Sequence, residues 1–176
     1  MKFCRIISFC MPLLLSAPSL AETDVEIGLG TQSQLKTTTH ISSDWYVSSF
    51  AGQRYDEADP NSQDESESFD FYSFNGGYQY QIVDKLNLFM EAGLASYVPE
   101  SSQSVDRGIN VATGVNYNIT DNFKVETRLS HTATQESDSK LEFSGFYRIL
   151  DTLDVKASFD MQMEASKMQL GLGYRF

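Results

Sequence analysis

Alternation with a period of two, with no charge on one of the two faces it creates, constrains this chain more than any other feature. In an extended strand Met168, Leu170, Leu172, Tyr174 and Phe176 point one way, while Gln169, Gly171, Gly173 and Arg175 point the other. The pattern recurs upstream. Leu86, Leu88, Met90, Ala92 and Leu94 form one row, and Ile109, Val111, Thr113, Val115, Tyr117 and Ile119 another. Phe123 to Leu129, Leu141 to Ile149 and Leu153 to Met163 repeat it. None of these apolar rows holds a charged residue, and no helical period competes with them.

A two-layer sandwich also alternates, but it turns its apolar rows inward and its polar rows to water. Here the rows opposite the apolar ones mix Gly77, Gly93, Gly114, Gly171 and Gly173 with carboxylates, ammonium groups and guanidinium groups. Small residues suit the crowded interior of a narrow barrel better than a solvated surface. With the apolar rows facing lipid, a Lys or Arg at mid-membrane would cost roughly 2–4 kcal/mol, so charge-free rows are what lipid demands. Closure removes strand edges, whose unpaired backbone groups each cost several kcal/mol in hydrocarbon. The expected fold is all-β, an antiparallel up-and-down transmembrane β-barrel. A soluble sandwich or lipocalin-like barrel is the competing class.

Residues 1–21 stand apart. Lys2 and Arg5 open them, Ile6 to Leu15 is a short apolar run, and Ser-Leu-Ala21 closes them with small residues where a signal peptidase reads. The run is well short of the ~20 residues a spanning helix needs. The expectation is a cleaved signal peptide over 1–21 and one barrel domain over 22–176. Cys4 and Cys10, the chain's two cysteines, both lie in the leader, so the barrel domain has no disulfide and no thiolate ligand. The formal net charge is −11, and the leader holds bases but no acid, so the remainder is more acidic still. Such a chain repels nucleic acid. No metal-ligand spacing or phosphate loop is present, and no cofactor is expected.

A weak repeat marks the turns. Tyr80-Gln-Ile82 runs through Asp84 into Leu86, Tyr117-Asn-Ile119 through Asp121 into Phe123, and Tyr147-Arg-Ile149 through Asp151 into Leu153. Tyr174-Arg-Phe176 has the same ending without a turn, and Thr39-His-Ile41 before Asp44 is a fainter copy. Each is a strand end, a tight turn and a strand start at one rim. Strands near 45–54, 70–82, 85–96, 107–119, 123–133, 139–149, 153–163 and 167–176 make eight. A hairpin of Val25-Ile27-Leu29 with residues near 34–41 brings the count to ten, the number favoured. The alternative is an eight-stranded barrel with 22–43 as an extension. Connections at the other rim are longer and polar, above all the acidic stretch 56–68.

The leader, the hairpin repeat and the terminal Gly171-Leu-Gly173-Tyr-Arg-Phe176 together resemble small Gram-negative outer-membrane β-barrel proteins, of the kind typified by OmpX and the OmpA membrane domain. The resemblance is one of pattern over the whole chain after the leader. It implies a monomer in the outer membrane with both termini periplasmic, surrounded by outer-membrane lipids and lipopolysaccharide. It also implies that Tyr174 and Phe176 form the signal read by the barrel assembly machinery. Tyr80, Tyr117, Tyr147 and Tyr174 would form an aromatic girdle at the lipid–water boundary.

On the inward rows, parity places Glu91, Glu126, Arg128, Glu142, Arg148, Lys156, Asp160 and Arg175, with Lys124 and Asp154 beside them. Mixed signs on neighbouring strands suggest a cross-strand network that fills the lumen. The reading is a barrel with no enzymatic role, acting in envelope integrity or through its loops. The alternatives are a small ion or solute channel and a lipid A-modifying enzyme. For the last, Ser130-His131 invites comparison with outer-membrane lipid A deacylases. His131 follows Leu129 on the outward face, but Ser130 points inward, and adjacent strand residues cannot share a face.

Overall fold

The computed structural model describes residues 22–29, 33–55, 68–99, 105–134, 137–162 and 166–176. The leader 1–21 and residues 56–67 of the acidic stretch lie outside the described residues. Ten strands follow one another in sequence: β1 (Thr23–Leu29), β2 (Gln34–His40), β3 (Trp45–Tyr55), β4 (Ser68–Val83), β5 (Leu86–Pro99), β6 (Asp106–Asn118), β7 (Phe123–Ala133), β8 (Asp138–Leu150), β9 (Leu153–Gln162) and β10 (Ser166–Arg175). Every strand pairs antiparallel with its neighbours, and β1 closes on β10, so the sheet has no edge. At that seam Val25 faces Tyr174, Ile27 faces Leu172 and Leu29 faces Leu170. The eight-strand alternative is thereby overturned. β1 pairs on both sides, with β10 and with β2, so the N-terminal hairpin is part of the wall.

Burial is inverted relative to a water-soluble domain. Leu94 is 71% exposed and Leu170 63%, whereas Glu91 is 5% exposed. Asn75, Asn110, Ser144 and Asp160 are buried as well. Alternation explains this directly, because odd and even residues of one strand reach opposite sides of a wall one strand thick. The outward row of β2 is the least apolar, with Thr37 and Thr39 after Leu35. Those hydroxyls find partners in the wall: Thr37 Oγ1 is 2.6 Å from Ser49 Oγ, and Thr39 Oγ1 is 3.2 Å from Thr23 Oγ1. Pairing removes most of the cost of putting a hydroxyl against lipid.

Four short turns join strands at the rim that carries both described chain ends, and they are of two kinds. After Ile41 and Ile119 the chain makes matching four-residue turns: Ile41 N donates to Trp45 O and Ile119 N to Phe123 O, both at 2.9 Å. In each, a hydroxyl caps the far side. Ser42 Oγ accepts from the Trp45 amide at 3.1 Å, and Thr120 Oγ1 from the Phe123 amide at 3.0 Å. The Asp84-Lys85 and Asp151-Thr152 turns are tighter and follow register shifts at Gln81/Val83 and Arg148/Leu150. Lys85 has φ 68°, the left-handed region that favours glycine.

Candidate functional site

A ten-strand barrel with strands ~4.8 Å apart and tilted ~40° has a backbone radius of ~10 Å. Side chains from opposite walls therefore meet across the lumen, and here they are large. Tyr46 enters from β3, Phe71 from β4, Phe89 from β5 and Phe146 from β8, all buried. Two of these rings lie over the glycine paired with them on the neighbouring strand. A Cβ at Gly77 would run into the Tyr46 ring, and one at Gly114 into the Phe89 ring. The glycines on the inward rows thus make room for rings that fill the bore.

Two ion-pair clusters span this interior. In the first, Arg128 of β7 meets Glu91 of β5 with both guanidinium ends: Nη1 donates to Oε1 at 3.1 Å, and Nη2 to Oε2 in a close pair. Tyr46 Oη donates to the same Oε1 at 2.9 Å. The Arg128 guanidinium also sits 5.3 Å from the centre of the Phe89 ring. The partners come from β3, β5 and β7, each one strand removed from the next, so the contacts reach over β4 and β6 inside the barrel.

The second cluster is built around two lysines. Lys156 Nζ lies 2.9 Å from Glu142 Oε1 and 3.3 Å from Glu26 Oε2. Lys140 Nζ lies 2.7 Å from Asp160 Oδ2 and 3.4 Å from Glu142 Oε2. Ser144 Oγ donates to Glu142 Oε1 at 2.8 Å. Charges thus alternate in sign from β1 round to β9, each buried group facing its opposite. Lys124 is 4.2 Å from the centre of the Phe146 ring.

The remaining sequence-assigned residues sit at the ends. Arg175 Nε is 2.8 Å from both Asp24 Oδ1 and Glu22 Oε1, which pins the β1–β10 seam. Arg148 faces Asp154 across β8 and β9 at 3.6 Å. Glu126 also faces the lumen, opposite Ser144, with no ion-pair partner among the described residues. Beyond the charges, Asn110 Nδ2 donates to Asn75 Oδ1 at 3.0 Å, and Thr132 Oγ1 donates to Asn110 Oδ1 at 3.1 Å. Between these groups remains a polar cavity of about 90 Å³ bordered by Lys36, Arg128, Lys140, Glu142 and Lys156. Space of that size holds a few waters.

On the outside, Tyr80, Tyr117, Tyr147 and Tyr174 are all exposed at the rim of the short turns. Trp45 and Tyr78, tilted at 58° with ring centres 4.9 Å apart, extend this belt, and Tyr174 and Phe176 meet edge to face at 4.9 Å. Nearer the other rim, His131 has a partner that the sequence did not supply. Ser130 points inward, as its parity requires, but His131 Nδ1 lies 2.9 Å from Ser139 Oγ on β8. Ser139 stands two before Leu141, on the outward row of β8. Only the cross-strand register brings them opposite each other. Among the described residues no group of His, Cys, Asp and Glu is arranged to hold a metal ion.

The family model of the outer membrane protein beta-barrel domain matches residues 8–176. Among solved structures, the KdgM porin superposes with TM-score 0.51 at 10% identity, over 89% of this chain and 98% of its own. The NanC porin gives 0.50 at 11% identity, over 87% and 97%. At such identities the likeness is one of fold. No curated protein matches the chain in sequence.

Proposed function

Since the chain belongs to the outer membrane protein β-barrel domain family, we propose that it is a sealed barrel of a Gram-negative outer membrane that serves the envelope through its outer wall and loops. The observation that carries this reading is the cross-lumen bracing. Glu91, Arg128 and Tyr46 join β3, β5 and β7, and Lys156 joins Glu26 of β1 to Glu142 of β8. A hydrated ion entering the bore would have to displace paired buried charges, and breaking such a pair costs about 3–5 kcal/mol. Residues 1–21 act as the secretory signal, and both termini of the mature chain face the periplasm. The barrel stands as a monomer among outer-membrane lipids and lipopolysaccharide, and Tyr174 and Phe176 present the assembly signal. The envelope role requires no catalysis in the lumen.

A narrow channel is the second reading, favoured by the water-sized cavity beside Arg128 and Lys140 and by the fold shared with two porins. Collapse of a potassium gradient imposed across proteoliposomes separates the two. The sealed barrel holds the gradient as long as protein-free vesicles do, and rapid protein-dependent collapse would overturn it.

A further inference from the structure

His131 and Ser139 are used neither by the lumen network nor by the aromatic belt. They face each other across β7 and β8, both exposed on the outward wall, with Nδ1 and Oγ at 2.9 Å. Their depth follows from the strand geometry. Phe123, opposite the belt residue Tyr147, is eight positions before His131 on β7. At ~3.3 Å per residue and ~40° tilt the imidazole lies ~20 Å above that belt. The apolar band of such a barrel is ~25 Å tall, so the pair sits just inside its opposite edge. That is the depth of the ester groups that join acyl chains to lipid headgroups. On β6, Arg107 is ten positions above the belt residue Tyr117 and exposed, at ~25 Å by the same arithmetic, level with headgroup phosphates.

We propose that Ser139 and His131 form a catalytic dyad that hydrolyses fatty-acyl esters of the surrounding lipid, with Arg107 positioned to hold the anionic headgroup. Unlike the hydroxyl pairs of β1 to β3, this pair sets a hydroxyl against an imidazole, a nucleophile beside its base. Ser139 Oγ adds to the ester carbonyl carbon as its proton passes to His131. The tetrahedral adduct then collapses, breaking the acyl–oxygen bond, and His131 returns the proton to the departing alcohol. Water, deprotonated by His131, adds to the acyl-Ser139 carbonyl. Collapse of that adduct frees the fatty acid and restores the Ser139 hydroxyl. Among the described residues no carboxylate is paired with His131, so the rate belongs to a dyad, roughly 10⁴-fold below that of a complete triad.

This activity lies beyond the envelope role, and its test is independent of conduction. The full barrel, with folding verified by its heat-dependent gel shift, is reconstituted in phosphatidylethanolamine vesicles in one arm and lipopolysaccharide-containing vesicles in the other. Labelling by an alkyl fluorophosphonate and release of free fatty acid are both measured. Wild-type protein is expected to label at Ser139 and to release acid in the arm that carries its substrate. Ser139→Ala should abolish both, His131→Gln should slow labelling at least 100-fold, and Arg107→Ala should lower acid release. Folded wild-type protein that neither labels nor releases acid above the Ser139→Ala level, in either arm, would overturn the proposal.

Discussion

Replacing Glu91 by Ala tests the cross-lumen bracing at its most buried point. The substitution deletes the acceptor of two Arg128 hydrogen bonds and of the Tyr46 hydroxyl. It leaves a guanidinium that is 14% exposed with no counter-charge in direct contact, where the Glu91 side chain had been 2% exposed. Breaking a buried pair on one side typically costs about 3–5 kcal/mol, because the remaining charge stays desolvated. The neighbouring cavity lets water reach Arg128, which puts the expected loss at the lower end, about 3 kcal/mol. Removing both charges, as Glu91→Met with Arg128→Met, should recover more than half of that loss. The part not recovered is the Tyr46 hydroxyl, left without its acceptor at a cost of about 1 kcal/mol. Reversible urea unfolding from lipid vesicles provides the assay, and Trp45, the single tryptophan, provides the signal at the rim. A loss below about 1 kcal/mol in the single variant, or a double variant no more stable than the single, would mean that Glu91 does not neutralise a buried Arg128.

Two further perturbations read other parts of the account. Leu170→Arg places a charge in the middle of the outward row of β10, where the leucine is 63% exposed, and should cost roughly 2–4 kcal/mol in bilayers by the same unfolding assay. A neutral result there would mean that this row does not face lipid. Lys85→Gly relieves a left-handed residue in a two-residue turn and should raise stability by about 0.5–1 kcal/mol, with destabilisation as the contradicting result.

The sequence made the wall legible almost residue by residue. Face alternation and the Tyr-x-apolar repeat placed ten strands whose observed ends differ from expectation by at most a few residues, because in a single-layer wall one face per strand is fixed by lipid. Parity also put every member of the polar set, from Glu91 to Arg175, on the inward side. What the sequence could not carry is who meets whom across the bore. Tyr46 and Glu91 are 45 positions apart, and Glu26 and Lys156 are 130 apart. Their contacts depend on barrel radius and strand stagger, which no local pattern encodes. The same holds for Ser139. His131 was visible as an outward residue, but the adjacent Ser130 drew the comparison, and the register of the β7–β8 hairpin supplied a different serine. The rings over Gly77 and Gly114 were hidden for a similar reason, since an inward glycine announces space without naming the side chain that fills it.

Single-channel recording in planar bilayers distinguishes a lumen closed by its own paired side chains from one that conducts. The wild-type barrel should give a baseline indistinguishable from bare lipid, while Glu91→Ala with Arg128→Ala, which empties the centre of the bore, should give discrete openings. Steady conductance through the wild-type barrel would mean that its paired side chains leave the lumen open.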